Sequence, residues 1–180
     1  MKSRTRARSV ALQALFEIDL TGHQPGLVWE QRSEEEALDA KLAEFSRQII
    51  FGVLPIHARL DDFIAQYAPE WPMEQVATID RNILRIALWE FAIYRKTPIK
   101  VIINEAVELA KTYGSDSTPR FVNGVLGSLA DHQNEDPVRV AQFLGHAHDG
   151  LDGVGGPHVA RIDDHQAVLR VDMGRDAKLS

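Results

Sequence analysis

The 180-residue chain contains no cysteine. That excludes a disulfide framework, a Cys-ligated zinc site and a Cys nucleophile, and it fits a reducing compartment. There is no run of 18 apolar residues, so no segment reads as a membrane span. The start, MKSRTRARSV, is basic, but no uncharged apolar stretch of adequate length follows, so it does not read as a signal peptide. Before Asn134 no stretch alternates apolar and polar residues for more than a few positions, so no strand is expected there. Negative charge is missing from the first eight residues, where Lys2, Arg4, Arg6 and Arg8 stand alone. Elsewhere acid prevails and the net charge is −6. Taken alone that sum argues against nucleic acid, but a basic arm on an acidic body binds a polyanion locally while the body repels it, which favours one orientation.

What is present is helical periodicity. The segment Ile79 to Tyr94, IDRNILRIALWEFAIY, is apolar almost all round, and such a helix is buried almost all round. It is expected to be the central helix of one core. Its polar residues, Asp80 and Arg81 among them, sit mostly toward its start. A first helix is expected over 4–21, with Ala7, Ala11, Leu15 and Ile18 on its apolar face. The Gly and Pro content of 22–32 reads as a loop. The SEEE at 33–36 reads as a helix start, with Ser33 as cap and the glutamates at the positive end of the dipole. That helix carries Leu38, Leu42, Phe45 and Ile49 to about Leu54, and Pro55 breaks or kinks it. Ile56, Leu60, Phe63, Ile64 and Tyr67 continue as a third helix.

Pro69 and Pro72 bracket a connection, and the central helix is allowed to begin as early as Met73. Thr97-Pro98 starts a helix over 99–113 with Gly114 as C-cap. SDSTP at 115–119 leads to a cap at Thr118 with Pro119 at N1, and the last helix runs from Arg120 to about His132. Gly124 and Gly127 weaken that helix, and close approach of a neighbouring helix is the expected compensation. The body, 1–133, is therefore all-α. From Asn134 the composition shifts: six of twelve glycines and four of seven histidines lie there. This tail, 134–180, is expected to be loosely ordered, with a short helix over 137–144 and a short strand over 167–172.

Three pieces stand together: ARSVALQALF at 7–16, RNILRIALWEF at 81–91, and TPIKVIINEAVELAKTYG at 97–114 followed by RFVNGVLG at 120–127. In this order and spacing they closely resemble the bacterial transcription antitermination factor NusB family, over roughly the first three quarters of the chain. The resemblance implies an all-helical fold of two small bundles sharing a core. It implies a non-enzymatic, cytoplasmic role: binding the boxA element of nascent ribosomal or phage RNA. The partner is the ribosomal protein NusE, and the heterodimer joins an antitermination complex on RNA polymerase. It also implies no cofactor, and leaves a homodimer of the free protein open.

On that resemblance, Arg4, Arg6 and Arg8 are candidates for RNA contact. Read as residues alone, a short basic terminus is more often a solvated end. If helical, Arg4 and Arg8 share a face and Arg6 lies nearly opposite. Ser117, Thr118, Arg120 and Asn123 form the second RNA candidate, since a helix N-terminus with free N–H groups and Arg120 just inside it suits an anion. By themselves they read as an ordinary cap. Family members often carry an acidic residue near position 117, where this chain has Ser117, with Asp116 one place earlier. The surface for NusE is expected at Phe16, Glu17 and Asp80, with Phe16 as plain core the even alternative.

Other signals carry less. HAHDG at 146–150 with His158, Asp163, Asp164 and His165 matches no common metal spacing, and no metal site is assigned. GVGG at 153–156 lacks the strand and helix of a dinucleotide motif and reads as a linker. Glu105 and Glu108, with Lys111, read as a solvated helix face. A cytosine methyltransferase of ribosomal RNA, in which such domains also occur, is excluded by length and by the absence of cysteine. A helical adaptor that binds only protein is the remaining competitor.

Overall fold

Helix α5, Thr78–Trp89, buries every residue from Asn82 to Trp89, and the rest of the protein is arranged on it. The structure, a computed structural model, describes residues 3–68 and 70–135. The helix and strand expected at 137–144 and 167–172, the histidine-rich segments and the glycine run at 153–156 lie outside the described residues. Within them the order is α1 (Ser3–Thr21), α2 (Pro25–Glu35), α3 (Ala40–Val53), a 3₁₀ turn (Leu54–Ile56), α4 (His57–Tyr67), α5, a π-helical turn (Glu90–Tyr94), α6 (Ile99–Tyr113) and α7 (Thr118–Glu135). The all-α expectation stands. Helices α1–α3 pack on one another, α4–α7 pack on one another, and α5 touches both groups through one continuous apolar core.

The directions follow from side-chain contacts. Arg8 reaches Glu90 while Asp19 reaches Asn82 and Arg85, so α1 and α5 are antiparallel. Thr5 reaches Glu105 and Ser9 reaches Tyr113, so α1 and α6 are parallel. Arg85 is buried and clamps Asp61 of α4 at 2.7 and 2.5 Å while donating to Asp19 of α1 at 2.7 Å. The polar residues of α5 are thus not confined to its first turn. Arg85 of α5 and Glu90 at the start of the π turn are buried ions that tie the helices together.

Several expectations are corrected. Residues 25–35 are a helix, not a loop: Pro25 occupies its first turn, where a missing N–H costs nothing. Val28 of that helix is buried, and the Trp29 indole N–H donates to Ser46 at 3.1 Å. Ser33 therefore caps nothing. It lies in the last turn of α2, and its buried hydroxyl has no partner among the described residues. The cap of α3 is Asp39, whose carboxylate accepts from the Lys41 and Leu42 amides at 3.0 Å. Residues 73–75 are a turn, and α5 begins only at Thr78.

The central helix does not stay α to Tyr94. From Glu90 it widens, and the Arg95 amide bonds back to the Glu90 carbonyl at 2.9 Å. Residues five apart point to different faces of a regular α-helix, whereas the wider turn brings Trp89 and Tyr94 into a stack at 5.5 Å. Arg95 then turns the chain at φ 52°.

The glycines also differ. A Cβ at Gly124 or Gly127 would meet no atom of the described residues, so none of the described helices approaches closely there; one at Gly52 would overlap the Trp89 indole, so the close approach lies between α3 and α5. Gly114 does end α6, but at φ −89°; its side-chain void is filled by Thr118, not required by the backbone.

Candidate nucleic-acid interface

Each RNA candidate on α1 takes its environment from its place on the helix. Arg8 falls in register with Leu12 and Leu15, four and seven residues on, and is 2% exposed. Its Nε and Nη2 donate to the two Glu90 oxygens at 2.6 and 2.8 Å, and Nη1 donates to Glu105 at 3.0 Å. Thr5 donates to Glu105 at 2.7 Å and Thr97 to Glu90 at 3.0 Å. This corrects two readings. Arg8 is a structural ion whose charge is matched from within, so it has none to offer a phosphate. Glu105 is part of that cluster, not of a solvated face. Glu108 does pair with Lys111 at 2.7 Å in solvent, as the spacing suggested.

Arg4 and Arg6 remain at the surface. Arg4 is exposed, lies over the Phe45 ring at 4.9 Å and donates to the Tyr94 hydroxyl at 3.4 Å. Arg6 donates to the Glu36 carbonyl and sits 3.9 Å from its carboxylate, a contact too exposed to hold it strongly.

The second group lies at the start of α7. Ser115, Asp116, Ser117, Arg120 and Asn123 are exposed. Thr118 is not: its hydroxyl accepts from the Ser115 amide at 2.9 Å and donates to Asp80 at 3.0 Å. It builds the loop from beneath, so its place among contact residues is corrected to that of a support. Asp80, assigned from sequence to the protein-partner surface, is thereby fixed to the loop assigned to RNA. Burial raises its carboxyl pKa above the ordinary range, and the Thr118 hydrogen bond offsets this only in part. A groove of about 810 Å³ opens there, lined by Trp71, Asp80, Ser115, Ser117, Arg120 and Phe121 among others. Trp71 is 54% exposed and stands edge-on to Phe121 at 5.7 Å. An exposed tryptophan beside an arginine supplies a stacking face and a cation, the pair that unstacked bases and their phosphates use. Trp71 was not singled out from sequence; a lone aromatic between two prolines was the available signal.

Phe16 is half-buried and is not among the residues packed on the core. Glu17, next to it, is engaged by His23 at 3.0 Å and by Arg32 at 2.8 Å. The hydrogen bond from His23, then that from Arg32, holds its carboxyl below the usual range. Asp80 and Arg4 sit at opposite ends of α5 and its π turn, about 20 Å apart at about 1.5 Å per residue. The two RNA candidates are therefore separate patches.

Comparison with known proteins bears on the whole of this region. The profile of the NusB family matches residues 5–131. A transcription antitermination protein NusB from Roseiflexus castenholzii is 51% identical over 134 residues, covering 73% of this chain and 94% of its own. One from Chloroflexus aggregans is 50% identical over 128 residues, covering 70% and 85%. Among solved structures, T. maritima NusB superposes with a TM-score of 0.65 at 31% identity, covering 77% of this chain and 90% of that one. NusB in a crystal structure of antitermination factors NusB and NusE with double-stranded RNA gives 0.66 at 23% identity, over 73% and 98%, a likeness of fold. The match begins at residue 5, within the arm, and takes in the central helix and the 115–120 loop, and the chain belongs to the NusB family.

Proposed function

We propose that the chain is a non-enzymatic transcription antitermination factor that binds boxA-type nascent RNA together with NusE, within a cytoplasmic complex on RNA polymerase. Membership of the NusB family across residues 5–131 is the observation that carries this reading. RNA contact is assigned to Arg4 and Arg6 on α1 and to Ser117, Arg120 and Asn123 at the start of α7, with Thr118 holding that loop. NusE is assigned to the side of α1 that presents Phe16, with Glu17 and Asp80 at its margin. The chemistry needed is binding alone: cations for phosphates and an exposed aromatic for a base. No helix among the described residues is long and apolar enough to cross a membrane.

The test is a titration of the chain with NusE against boxA RNA and a scrambled RNA of equal length, over a range of salt. BoxA is expected to bind more tightly. Replacing Arg4 and Arg6 by Ala is expected to weaken binding and to flatten the salt dependence by about one to two phosphate contacts. Arg8 is left intact, because its loss would unfold the arm and mimic a binding defect. Equal affinity for the two RNAs would leave the protein-only adaptor as the better reading.

A further inference from the structure

At the end of α5 remote from the 115–120 loop, the structure gathers cations that no carboxylate among the described residues neutralises. Arg4 lies over Phe45 and reaches the Tyr94 hydroxyl. Lys96 stands over the other part of the same Tyr94 ring, 5.3 Å from its centroid. Arg95 commits only its Nε, to the Ala92 carbonyl at 2.6 Å. Lys100 is exposed in the first turn of α6, which holds no acidic residue. None of the four forms an ion pair among the described residues. The nearby acids, Glu90 and Glu105, face inward to Arg8, Thr5 and Thr97.

An ion pair orients a cation and cancels its charge, whereas an aromatic ring orients it and leaves the charge intact. Arg4 and Lys96 are therefore held in place and still fully positive. The N-terminus of α6 adds partial positive charge, and Lys100 there is unfavourable unless an anion is near. Arg4 and Lys96 share the Tyr94 side chain, while Lys100 stands on α6, so the cations come from the start of α1, the link after the π turn and the first turn of α6 in sequence. A convergent set suits a single phosphate; a strung set suits successive phosphates of one strand.

We infer that Arg95, Lys96 and Lys100, continued from Arg4 by way of Tyr94, form a backbone-binding surface for the RNA nucleotides that flank the boxA segment. This rests on the RNA reading above and extends its footprint. Contacts to phosphate fix position and affinity and carry no base preference.

The experiment uses the full chain with NusE, a boxA RNA, and the same RNA lengthened by uridines at both ends. The variant is Lys96→Glu with Lys100→Glu, both at exposed positions, and its melting curve is expected to match wild type. It should bind the lengthened RNA about tenfold or more weakly at low salt, with a salt slope smaller by about two. Its preference for boxA over scrambled sequence should not change. Unchanged affinity for the lengthened RNA, with the boxA preference present in both proteins, would overturn this surface and leave the RNA reading standing. A lost preference at unchanged affinity would overturn the backbone role. Failure of the wild type to prefer boxA would remove the reading on which the surface rests.

Discussion

Arg4, Arg6 and Arg8 look alike in sequence, and the structure separates them by helical phase. Position 8 shares its face with Leu12 and Leu15, so its guanidinium enters the core and meets two carboxylates. Removing one partner of a buried pair strands the others without solvent or counter-charge. Arg8→Ala is therefore expected to cost about 3–5 kcal/mol in urea unfolding, and Arg6→Ala less than about 0.5 kcal/mol. The phase was legible: an arginine in register with an apolar stripe, and Glu105 in register with Ile102, Ala106 and Leu109, point to a buried pair. The distance between them in sequence hid the pairing. Asp80 leads to a second prediction. Its folded pKa is raised by burial, so the folded state binds the proton more tightly than the unfolded chain does. Its ionised form opposes folding above the ordinary carboxylate range, and that opposition fades as pH falls. Asp80→Asn keeps an acceptor for Thr118 and should raise the melting temperature at pH 7, with the gain shrinking toward pH 4.

Between elements, the glycines reverse the sequence expectation and give the sharpest test. Gly52 lies on α3 where Trp89 of α5 crosses, so Gly52→Ala must displace the indole and is expected to destabilise by about 1–3 kcal/mol. Gly124 and Gly127 face open space within α7, so Ala at either should stabilise by about 0.5–1 kcal/mol. Thermal unfolding of the three variants checks the opposite signs; a stabilised Gly52→Ala would refute the crossing. The same level shows what sequence could and could not reveal. Apolar periodicity located α1, α3, α4, α5, α6 and α7, because each buries one face in the shared core. It missed α2, whose Pro25 and Gly26 read as breakers although Pro in a first turn is a start signal. It took Ser33 as the cap because SEEE precedes an apolar run, whereas the chain turns at Ala37, φ 46°, and the cap falls at Asp39. The π turn depends on the Trp89–Tyr94 stack and on Arg8 holding Glu90, contacts with no local signature.

Over the whole molecule, the fold sets how far apart the two proposed RNA patches lie. The arm reports to Tyr94 and the loop to Asp80, and the buried length of α5 keeps these contacts about 20 Å apart. Sequence named both patches but had no means of setting their separation, which depends on α1 and α6 being parallel and α5 opposed. At about 3.4 Å per nucleotide, the rise of a stacked strand, about six nucleotides touch both. Sites this far apart with no shared partner act independently. Arg4→Ala and Arg120→Ala should therefore lower affinity for a long boxA RNA by factors that multiply in the double variant. On an RNA of about three nucleotides, which reaches only one patch at a time, one of the two substitutions should have little effect. Filter binding of the four proteins to both RNAs measures this directly. A double variant no weaker than the worse single one on the long RNA would mean that the two patches contact one phosphate cluster, which α5 as a rigid spacer forbids.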